Sequence, residues 1–217
     1  MRVGASMAGV DTAVPVPRPY HHGNLREALV QAGVQLAVES GPAAVLLREA
    51  ARRVGVSHNA GYRHFSSRDE LVAAVAQRGM SRLACAMTEA LRALEGQRLV
   101  DQAARVRSRL RAIGGAYVGF ALDEPGLFRT AFASGLPGGH GPSAADAGPY
   151  QILGGVLDEF VAAGVIPAGR RPYSEVVAWS AVHGLAVLAL DGPLRGLPDE
   201  GLHAALDRVC DVVESGL

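Results

Sequence analysis

The sequence is short of several features that common classes of protein require. It has two cysteines in 217 residues, Cys85 and Cys210, too few for a disulfide framework or a four-ligand zinc site. Both lie on predicted apolar helix faces, so we expect them in the core. Aromatic residues make up only 5% of the chain against 49% hydrophobic residues, which with abundant Ala and Gly favours close-packed helices over a β-sandwich.

Long hydrophobic runs are also missing. The longest, Val176–Leu190, contains His183 and is too short to span a bilayer. The first residues hold no apolar block that would act as a secretory signal. We therefore expect a cytoplasmic protein without a membrane partner.

A net charge is lacking as well, because 21 basic residues balance 21 acidic ones. This balance conceals an asymmetry between two parts of the chain. Residues 18–68 carry seven arginines and three acidic residues, a net charge of +4, whereas residues 81–217 carry twelve arginines and fifteen acidic residues, a net charge of −3. One basic segment on a mildly acidic body indicates a localised anionic partner.

The spacing of apolar residues predicts an all-α fold of about nine helices, with no strand pattern and no internal repeat. In the first helix, which Asn24 would cap, apolar residues recur at intervals of four, three and four residues. These residues are Leu25, Leu29, Ala32 and Leu36. Further helices are predicted over about 47–54, 58–64, from 68 onward, 101–122, 149–164, 173–190 and 199–214.

Two segments lack a helical period. Residues 1–19 end in three alternating prolines and are predicted to form a disordered or polyproline-like arm. Residues 134–149 contain five glycines and three prolines and are predicted to form a mobile loop.

The most informative stretch is Leu47–Phe65, with the sequence LREAARRVGVSHNAGYRHF. Two short helical patterns meet across the three-residue turn 55–57, which is the sequence form of a helix-turn-helix. Gly55 is free to take a positive φ in the turn, and Ala51 is small where two helices must cross closely. The polar side chains that follow the turn would then face outward, where they could contact base edges and phosphates.

These residues resemble the DNA-binding domain of the TetR (tetracycline-repressor-like) family of transcriptional regulators. The resemblance rests on the motif GVSxxxxYRHF at residues 55–65, the Ser-Ser-Arg-Asp-Glu-Leu that follows, and the Tyr-His-His-Gly-Asn-Leu-Arg at residues 20–26. A subgroup of the family carries a Trp and a His-Gly pair in its C-terminal domain, which Trp179, His183 and Gly184 match.

The resemblance implies which residues contact DNA. The third helix would enter the major groove, where His58, Asn59 and Ala60 occupy the positions that read bases. Tyr62 and His64 match residues that contact the phosphate backbone, and Arg68 matches a basic position that neutralises phosphate. The full predicted set is Ser57, His58, Asn59, Ala60, Tyr62, Arg63, His64 and Arg68.

Two residues depart from the family pattern. Leu46 stands where Ser or Thr usually caps the second helix, so a cap worth roughly 1 kcal/mol is missing. Gly61 stands inside the recognition helix where a larger apolar residue is more usual, and a mid-helix Gly costs about 0.5–1 kcal/mol relative to Ala. We expect a recognition helix that becomes fully ordered only on DNA.

The resemblance also implies the organisation of the whole protein. A DNA-binding domain would span residues 20–80 and a helical effector-binding and dimerisation domain residues 81–217. The expected protein is a homodimeric, ligand-responsive regulator, most often a repressor, that binds a palindromic operator and pairs through helices at about 173–190 and 199–214. A hydrophobic or amphipathic effector would occupy a pocket lined by Tyr117, Phe120, Phe128, Phe132, Trp179 and His183.

Other interpretations of these residues stay open. His183 and Trp179, four residues apart, also fit a hydrogen-bonded core histidine beside a packing tryptophan. Adjacent His21 and His22 cannot easily chelate one ion, so no metal and no cofactor is expected, and no arrangement of residues favours an enzyme. The alternative function is a helical ligand-binding or scaffolding dimer whose DNA-binding module has degenerated, as Leu46 and Gly61 would allow.

Overall fold

The computed structural model describes residues 25–96, 101–133 and 148–217. These residues form nine α-helices and two short 3-10 turns and include no strand, so the predicted all-α class is confirmed. Several predictions lie outside the described residues: the arm at 1–19, the pair His21-His22, the Asn24 cap, and positions 134–147 of the glycine-rich loop.

Three helices and the start of a fourth make up the N-terminal part. Helix α1 packs on both α2 and α4, and α2 packs on α3. A 3-10 turn at Pro42–Ala44 joins α1 to α2. The bounds are α1 Leu25–Ser40, α2 Leu47–Val54, α3 His58–Tyr62 and α4 Arg68–Arg92.

The remaining helices form the C-terminal body around α5. Helix α5 contacts α4, α7, α8 and α9, while α6 lies between α1 and α4. The second 3-10 turn, Ala168–Arg170, precedes α8. The bounds are α5 Gln102–Asp123, α6 Pro125–Ala131, α7 Pro149–Ala162, α8 Ser174–Asp191 and α9 Asp199–Gly216.

Helix α4 is 25 residues long and runs without a break from the N-terminal part into the body. Its start is fixed by Ser67, whose hydroxyl accepts from the Glu70 N–H at 3.2 Å, and by the Glu70 carboxylate, which accepts from the Ser66 N–H at 2.7 Å. The latter bond holds the pKa of Glu70 below its usual value. The predicted domain boundary at residue 80 therefore falls inside one helix, which connects the two parts directly.

Two features of the fold differ from the sequence interpretation. Helix α6 was not predicted, although Pro125 at its first position is a residue often found there. Cys85 was expected in the core, but it is exposed on α4, whereas Cys210 is buried as expected. Apolar spacing alone did not distinguish the two cysteines, because Cys85 lies on the side of α4 that no other helix covers fully.

Among the described helices, α8 alone is both long and apolar enough to be compared with a membrane span. Its 18 residues have a mean hydropathy of 1.2 and are long and apolar enough to cross a bilayer, in contrast to the expectation from the shorter run Val176–Leu190. Only 28% of this stretch is buried. One such helix is weak support for a membrane protein, since a soluble helix that packs against a partner has the same composition.

Candidate nucleic-acid interface and effector cavity

The turn between α2 and α3 has the geometry that the sequence predicted. Gly55 ends α2 in the left-handed region, with φ 78° and ψ 26°, which a residue with a side chain rarely adopts. The N–H of Val56 donates to the Ala51 carbonyl at 3.0 Å, and that of Gly55 to Arg52 at 3.1 Å. These bonds satisfy the last carbonyls of α2 and fix the direction in which α3 leaves.

Helix α3 is short and presents polar groups to solvent. Ser57 caps it, because its hydroxyl accepts from the Ala60 N–H at 3.3 Å. His58, Asn59 and Tyr62 are exposed, with 52% of Tyr62 accessible. The His58 and Tyr62 rings meet edge to face at 5.9 Å. The helix ends at Tyr62 rather than 64, so Arg63 and the half-buried His64 lie in the turn that follows.

Gly61 of α3 lies where this helix packs against α2. It is buried, and a Cβ built on it would lie 3.3 Å from Leu47 Cδ1 and 3.6 Å from Ala51 Cβ. The space that a larger residue would fill at position 61 is therefore filled from α2 by Leu47. This departure from the family pattern has a packing reason, and the expectation that α3 becomes fully ordered only on DNA stays a prediction.

Leu46 leaves the start of α2 without a side-chain cap, as the sequence indicated. It has extended backbone angles and makes no capping hydrogen bond. Arg48, in the first turn of the same helix, is exposed and has no hydrogen bond or ion pair within the described part of the chain. Arg48 was missing from the predicted contact set, although its place at the start of the motif could have suggested it, because this end of the helix crosses the DNA backbone in many such proteins.

The other arginines of the motif divide into paired and unpaired ones. Arg53 makes a two-pronged bond to Glu39 at 2.8 and 2.6 Å, which lowers the pKa of the Glu39 carboxyl, and Arg52 binds Glu49. Arg63 is exposed and, among the described residues, has no partner. Arg48 and Arg63 are therefore the cations of the motif that are free to meet an anion.

Arg68 was predicted to neutralise phosphate, and the structure gives its guanidinium other partners. Its Nε donates to the Val45 carbonyl at 3.0 Å and one terminal nitrogen to the Pro42 carbonyl at 2.7 Å. The remaining nitrogen lies 3.7 Å from the Asp69 carboxylate. Arg68 thus ties the first turn of α4 to the segment leading into α2, and its contact with DNA stays a prediction.

The six residues predicted to line an effector pocket form one connected cluster in the body. Its centre is Tyr117, 1% exposed, whose hydroxyl lies 2.8 Å from Nδ1 of His183. Burial raises the pKa of Tyr117 and lowers that of His183, so both are neutral near pH 7. Rings within 6.2 Å of Tyr117 are Phe128, Phe132, Trp179 and His183, and Phe120 reaches the cluster through Phe128.

A small apolar cavity lies beside this cluster. Its volume is about 30 Å³, and its walls come from α4, α5, α7, α8 and α9. Tyr117 and Trp179 are the two residues of the predicted set that line it. Most of its walls could not be recognised from the sequence, because residues such as Ile113, Val209 and Cys210 have the spacing of ordinary core positions.

Two family descriptions match the sequence that builds these two sites. "Bacterial regulatory proteins, tetR family" matches residues 29–75, which contain the helix-turn-helix, and "Tetracyclin repressor-like, C-terminal domain" matches residues 110–213, which contain most of the cavity walls. The chain belongs to the TetR family.

Individual relatives agree with this assignment. The HTH-type transcriptional regulator Rv1816 of Mycobacterium tuberculosis is 29% identical over 148 residues, which cover 68% of this chain and 60% of that regulator. A solved structure of a protein of unknown function from Rhodococcus sp. RHA1 is 31% identical, with a TM-score of 0.71 over 93% of this chain and 99% of that one. A TetR family transcription regulator from Marinobacter aquaeolei VT8, 20% identical, shares the fold with a TM-score of 0.60 over 87% and 95% of the two chains.

In this TetR chain, α6 connects the two sites. A Cβ on Gly126 would lie 1.9 Å from the Ala37 carbonyl oxygen, so the start of α6 touches the backbone of α1. Two residues further on, Phe128 belongs to the aromatic cluster. Arg129 binds Asp191 at the end of α8 at 3.0 and 2.5 Å. One short helix therefore contacts the DNA-binding module, the aromatic cluster and α8.

The TetR chain also has an apolar surface on α8 that no described residue covers. Four large aliphatic residues are 39–50% exposed there: Val176, Val177, Val187 and Leu188. They follow helical spacing along one side, together with Gly184, around whose Cβ position nothing lies within 4 Å. Tyr173, 80% exposed with φ 65°, stands at the beginning of the same side. We call Val176, Val177, Gly184, Val187 and Leu188 the α8 outer face.

Proposed function

We propose that this protein is a transcriptional regulator that binds a palindromic operator as a homodimer and releases it when a small hydrophobic or amphipathic effector binds, acting as a repressor. The observation that carries the proposal is the exposed polar surface of α3 on a fixed helix-turn-helix. His58, Asn59 and Tyr62 face solvent there, and the exposed Arg48 and Arg63 of the same motif have no partner among the described residues. As its target would be chromosomal DNA, the protein would act in the cytoplasm, without enzymatic activity or a cofactor.

Recognition would divide between base and backbone contacts. Asn59 has the amide that pairs with adenine in the major groove, at about 1–3 kcal/mol of discrimination. Tyr62, Arg63 and Arg48 would bind phosphates, which adds affinity without sequence preference and makes binding sensitive to salt. His58 and Ala60 would complete the base-reading surface.

The homodimer would form through the α8 outer face and the neighbouring surface of α9. Large aliphatic residues that are half exposed on one side of a helix are costly to leave in water, which favours burial against a second copy. Val212, 54% exposed on α9, would extend this interface. A two-fold axis at α8 and α9 would present two α3 helices to half-sites about one turn of DNA apart, roughly 34–36 Å.

Release would follow from the position of α6. An effector that separates the aromatic cluster displaces Phe128, and the start of the same helix rests on the Ala37 carbonyl of α1. A shift of α6 would therefore move α1 and, with it, the helix-turn-helix. An effector acts in this way only if it binds the displaced state more tightly than the DNA-binding state.

Fluorescence anisotropy would test the proposal directly. Labelled DNA flanking the protein's own gene is titrated at several salt concentrations, with random duplex as competitor. Specific binding at two protomers per site, with affinity that falls steeply as salt rises, is the expected result. Equal and weak binding to both duplexes would contradict it, provided that selection from a random duplex library also yields no preferred site.

The alternative is a helical ligand-binding or scaffolding dimer with a degenerate DNA-binding module. The observation that favours it is the missing cap at Leu46, which leaves α2 without a side-chain bond at the end that would face DNA. Such a protein would bind duplex DNA weakly or not at all, at any salt concentration, and would still dimerise.

A further inference from the structure

We propose that the cavity between α5, α8 and α9 takes an uncharged, apolar effector of one or two rings and opens to admit it. This inference rests on the proposed function and narrows it, because it excludes carboxylates, phosphates and ammonium compounds from this cavity. It is carried by three observations: the chemistry of the cavity walls, the pairing of the surrounding charges, and the size of the cavity.

The cavity walls offer no charge to a ligand. None of the twelve described lining residues is acidic or basic. The two that could ionise are held neutral, since burial raises the pKa of Cys210 to about 11 and raises that of Tyr117. The Tyr117 hydroxyl already has a partner in His183. An ionised ligand would lose its hydration here without gaining a counter-charge.

Two arginines on α5, the helix that supplies four of the lining residues, are engaged with acidic residues of α9. On α5, Arg111 lies 3.2 Å from the Asp207 carboxylate of α9 and also pairs with Asp211. One turn earlier, Arg107 donates to Glu214 at 2.7 Å. These pairs join α5 to α9 and occupy both arginines with acidic residues, while Arg208 of α9, which precedes the lining residue Val209, is exposed to solvent.

The size of the cavity shows that binding must enlarge it. A space of about 30 Å³ holds roughly one water molecule, whereas a cavity that binds benzene measures roughly 150 Å³. The walls on α5 are fixed deep in the core, as Ile113 and Tyr117 are 2% and 1% exposed. The walls on α8 and α9 combine three buried residues, Ala178, Cys210 and Val213, with three half-buried ones, Trp179, Val182 and Val209. The cavity therefore opens by moving α8 and α9, the two helices of the proposed dimer interface, away from α5.

Trp179 provides a direct readout, because it lines the cavity and is the only tryptophan in the chain. Its fluorescence is followed while the DNA-free protein is titrated with matched compounds on two scaffolds. These are cyclohexylmethanol, cyclohexanecarboxylate and cyclohexylammonium, and the corresponding adamantane alcohol, carboxylate and ammonium. The alcohol of at least one scaffold should bind at least about tenfold more tightly than both of its charged counterparts. Equal or tighter binding of a charged member, or no binding by any member, would overturn the inference.

Two neighbouring glycines on α5 supply matched variants. A Cβ on Gly114 would enter the cavity wall 3.2 Å from Leu206 Cδ1, whereas one on Gly115 would meet Leu206 at an ordinary 3.8 Å. Gly114→Ala should weaken binding of the neutral ligand at least about tenfold by overfilling the space, and Gly115→Ala should change it less than about twofold. Equal effects of the two substitutions, in variants with unchanged circular dichroism, would contradict a site in this cavity.

The two proposals fail separately in these experiments. The Trp179 titration contains no DNA, and the anisotropy titration contains no ligand. Neutral ligands that bind a protein without operator affinity would support the cavity and overturn the regulator. A protein that forms a specific operator complex but prefers charged ligands would support the regulator and overturn the proposal for the cavity.

Discussion

At the scale of single residues, the structure separates exposed side chains that are free to meet DNA from side chains that hold the module together. Tyr62 and Arg68 matched family positions that meet phosphate, and Arg63 lies between them in the predicted contact set. Tyr62 is half exposed and Arg63 has no partner in the described residues, whereas Arg68 donates to two backbone carbonyls. Motif position alone could not distinguish these cases, because the carbonyl partners come from another segment.

Tyr62→Phe tests the phosphate contact. If the Tyr62 hydroxyl donates to a phosphate, its removal should weaken binding about tenfold or more, and by the same factor for operator and random duplex. The matched control is Tyr150→Phe, which removes a hydroxyl on α7 outside the DNA-binding module and should leave both affinities unchanged. A loss confined to the operator would show that Tyr62 reads a base instead.

Arg68→Met tests the positioning role of this arginine. Loss of its bonds to Val45 and Pro42 should lower the free energy of unfolding by about 1 kcal/mol in urea titrations, because two carbonyls lose a charged donor. Arg63→Met should leave stability within about 0.5 kcal/mol and weaken DNA binding instead. If the Arg68 variant keeps its stability but loses DNA affinity, Arg68 contacts a phosphate and does not position the module.

At the scale of elements, α3 and α6 are the two short helices on which the proposed function depends. Helix α3 has five residues, one capping bond and one buried residue, Gly61. Helix α6 has seven residues, of which five are buried. The sequence motif identified α3 through its turn, whereas α6 lacked enough length to show a helical period.

Amide hydrogen exchange tests how firmly α3 is formed in the free protein. We expect its amides to exchange faster than those of α1, which has 16 residues and seven of them buried, since a short helix with few buried contacts opens locally. Addition of operator DNA should slow exchange in α3 and leave α1 unchanged. Exchange in free α3 as slow as in α1 would refute the expectation.

Gly126→Ala tests the close packing of α6 against the backbone of α1. The new methyl would overlap the Ala37 carbonyl oxygen, which belongs to the backbone and cannot rotate away. We expect a loss of about 2–3 kcal/mol in unfolding free energy. The control is Gly155→Ala on α7, where nothing lies within 4 Å and a gain of about 0.5–1 kcal/mol in helix propensity is expected. A stable Gly126→Ala protein with unaltered DNA binding would argue against coupling through this contact.

At the scale of the whole molecule, the body has one side that the described residues do not cover. The α8 outer face exposes aliphatic residues over several turns, while the other side of α8 packs on α5 and α9. Because the same helix contributes Trp179 to the cavity, an effector that moves α8 would also change the proposed dimer interface. Such a movement of α8 would couple ligand binding to the geometry of the dimer and so to the spacing of the two α3 helices.

Val177→Glu tests the dimer. Val177 is 46% exposed on the α8 outer face, and a charge there would be buried without a partner in the dimer. Light scattering should show a monomer, and affinity for a palindromic duplex should fall about a hundredfold, the scale gained by linking two binding modules. Val38→Glu, at an α1 site that is 42% exposed, should remain a dimer. A dimeric Val177→Glu protein would contradict the interface.

The sequence by itself determined the features that depend on near neighbours in the chain. Apolar spacing fixed the class and the position of most helices, Gly55 fixed the turn of the motif, and Ser57 and Ser67 fixed two helix starts, because helix faces, turns and caps form between residues a few positions apart. Only the tertiary structure decided what depends on distant segments meeting. Leu47 fills the space at Gly61, carbonyls of the α1–α2 connection bind Arg68, the Ala37 carbonyl packs against Gly126, and five helices surround the cavity. Contacts of this kind leave no periodic pattern in the sequence, because the residues that make them are far apart in the chain.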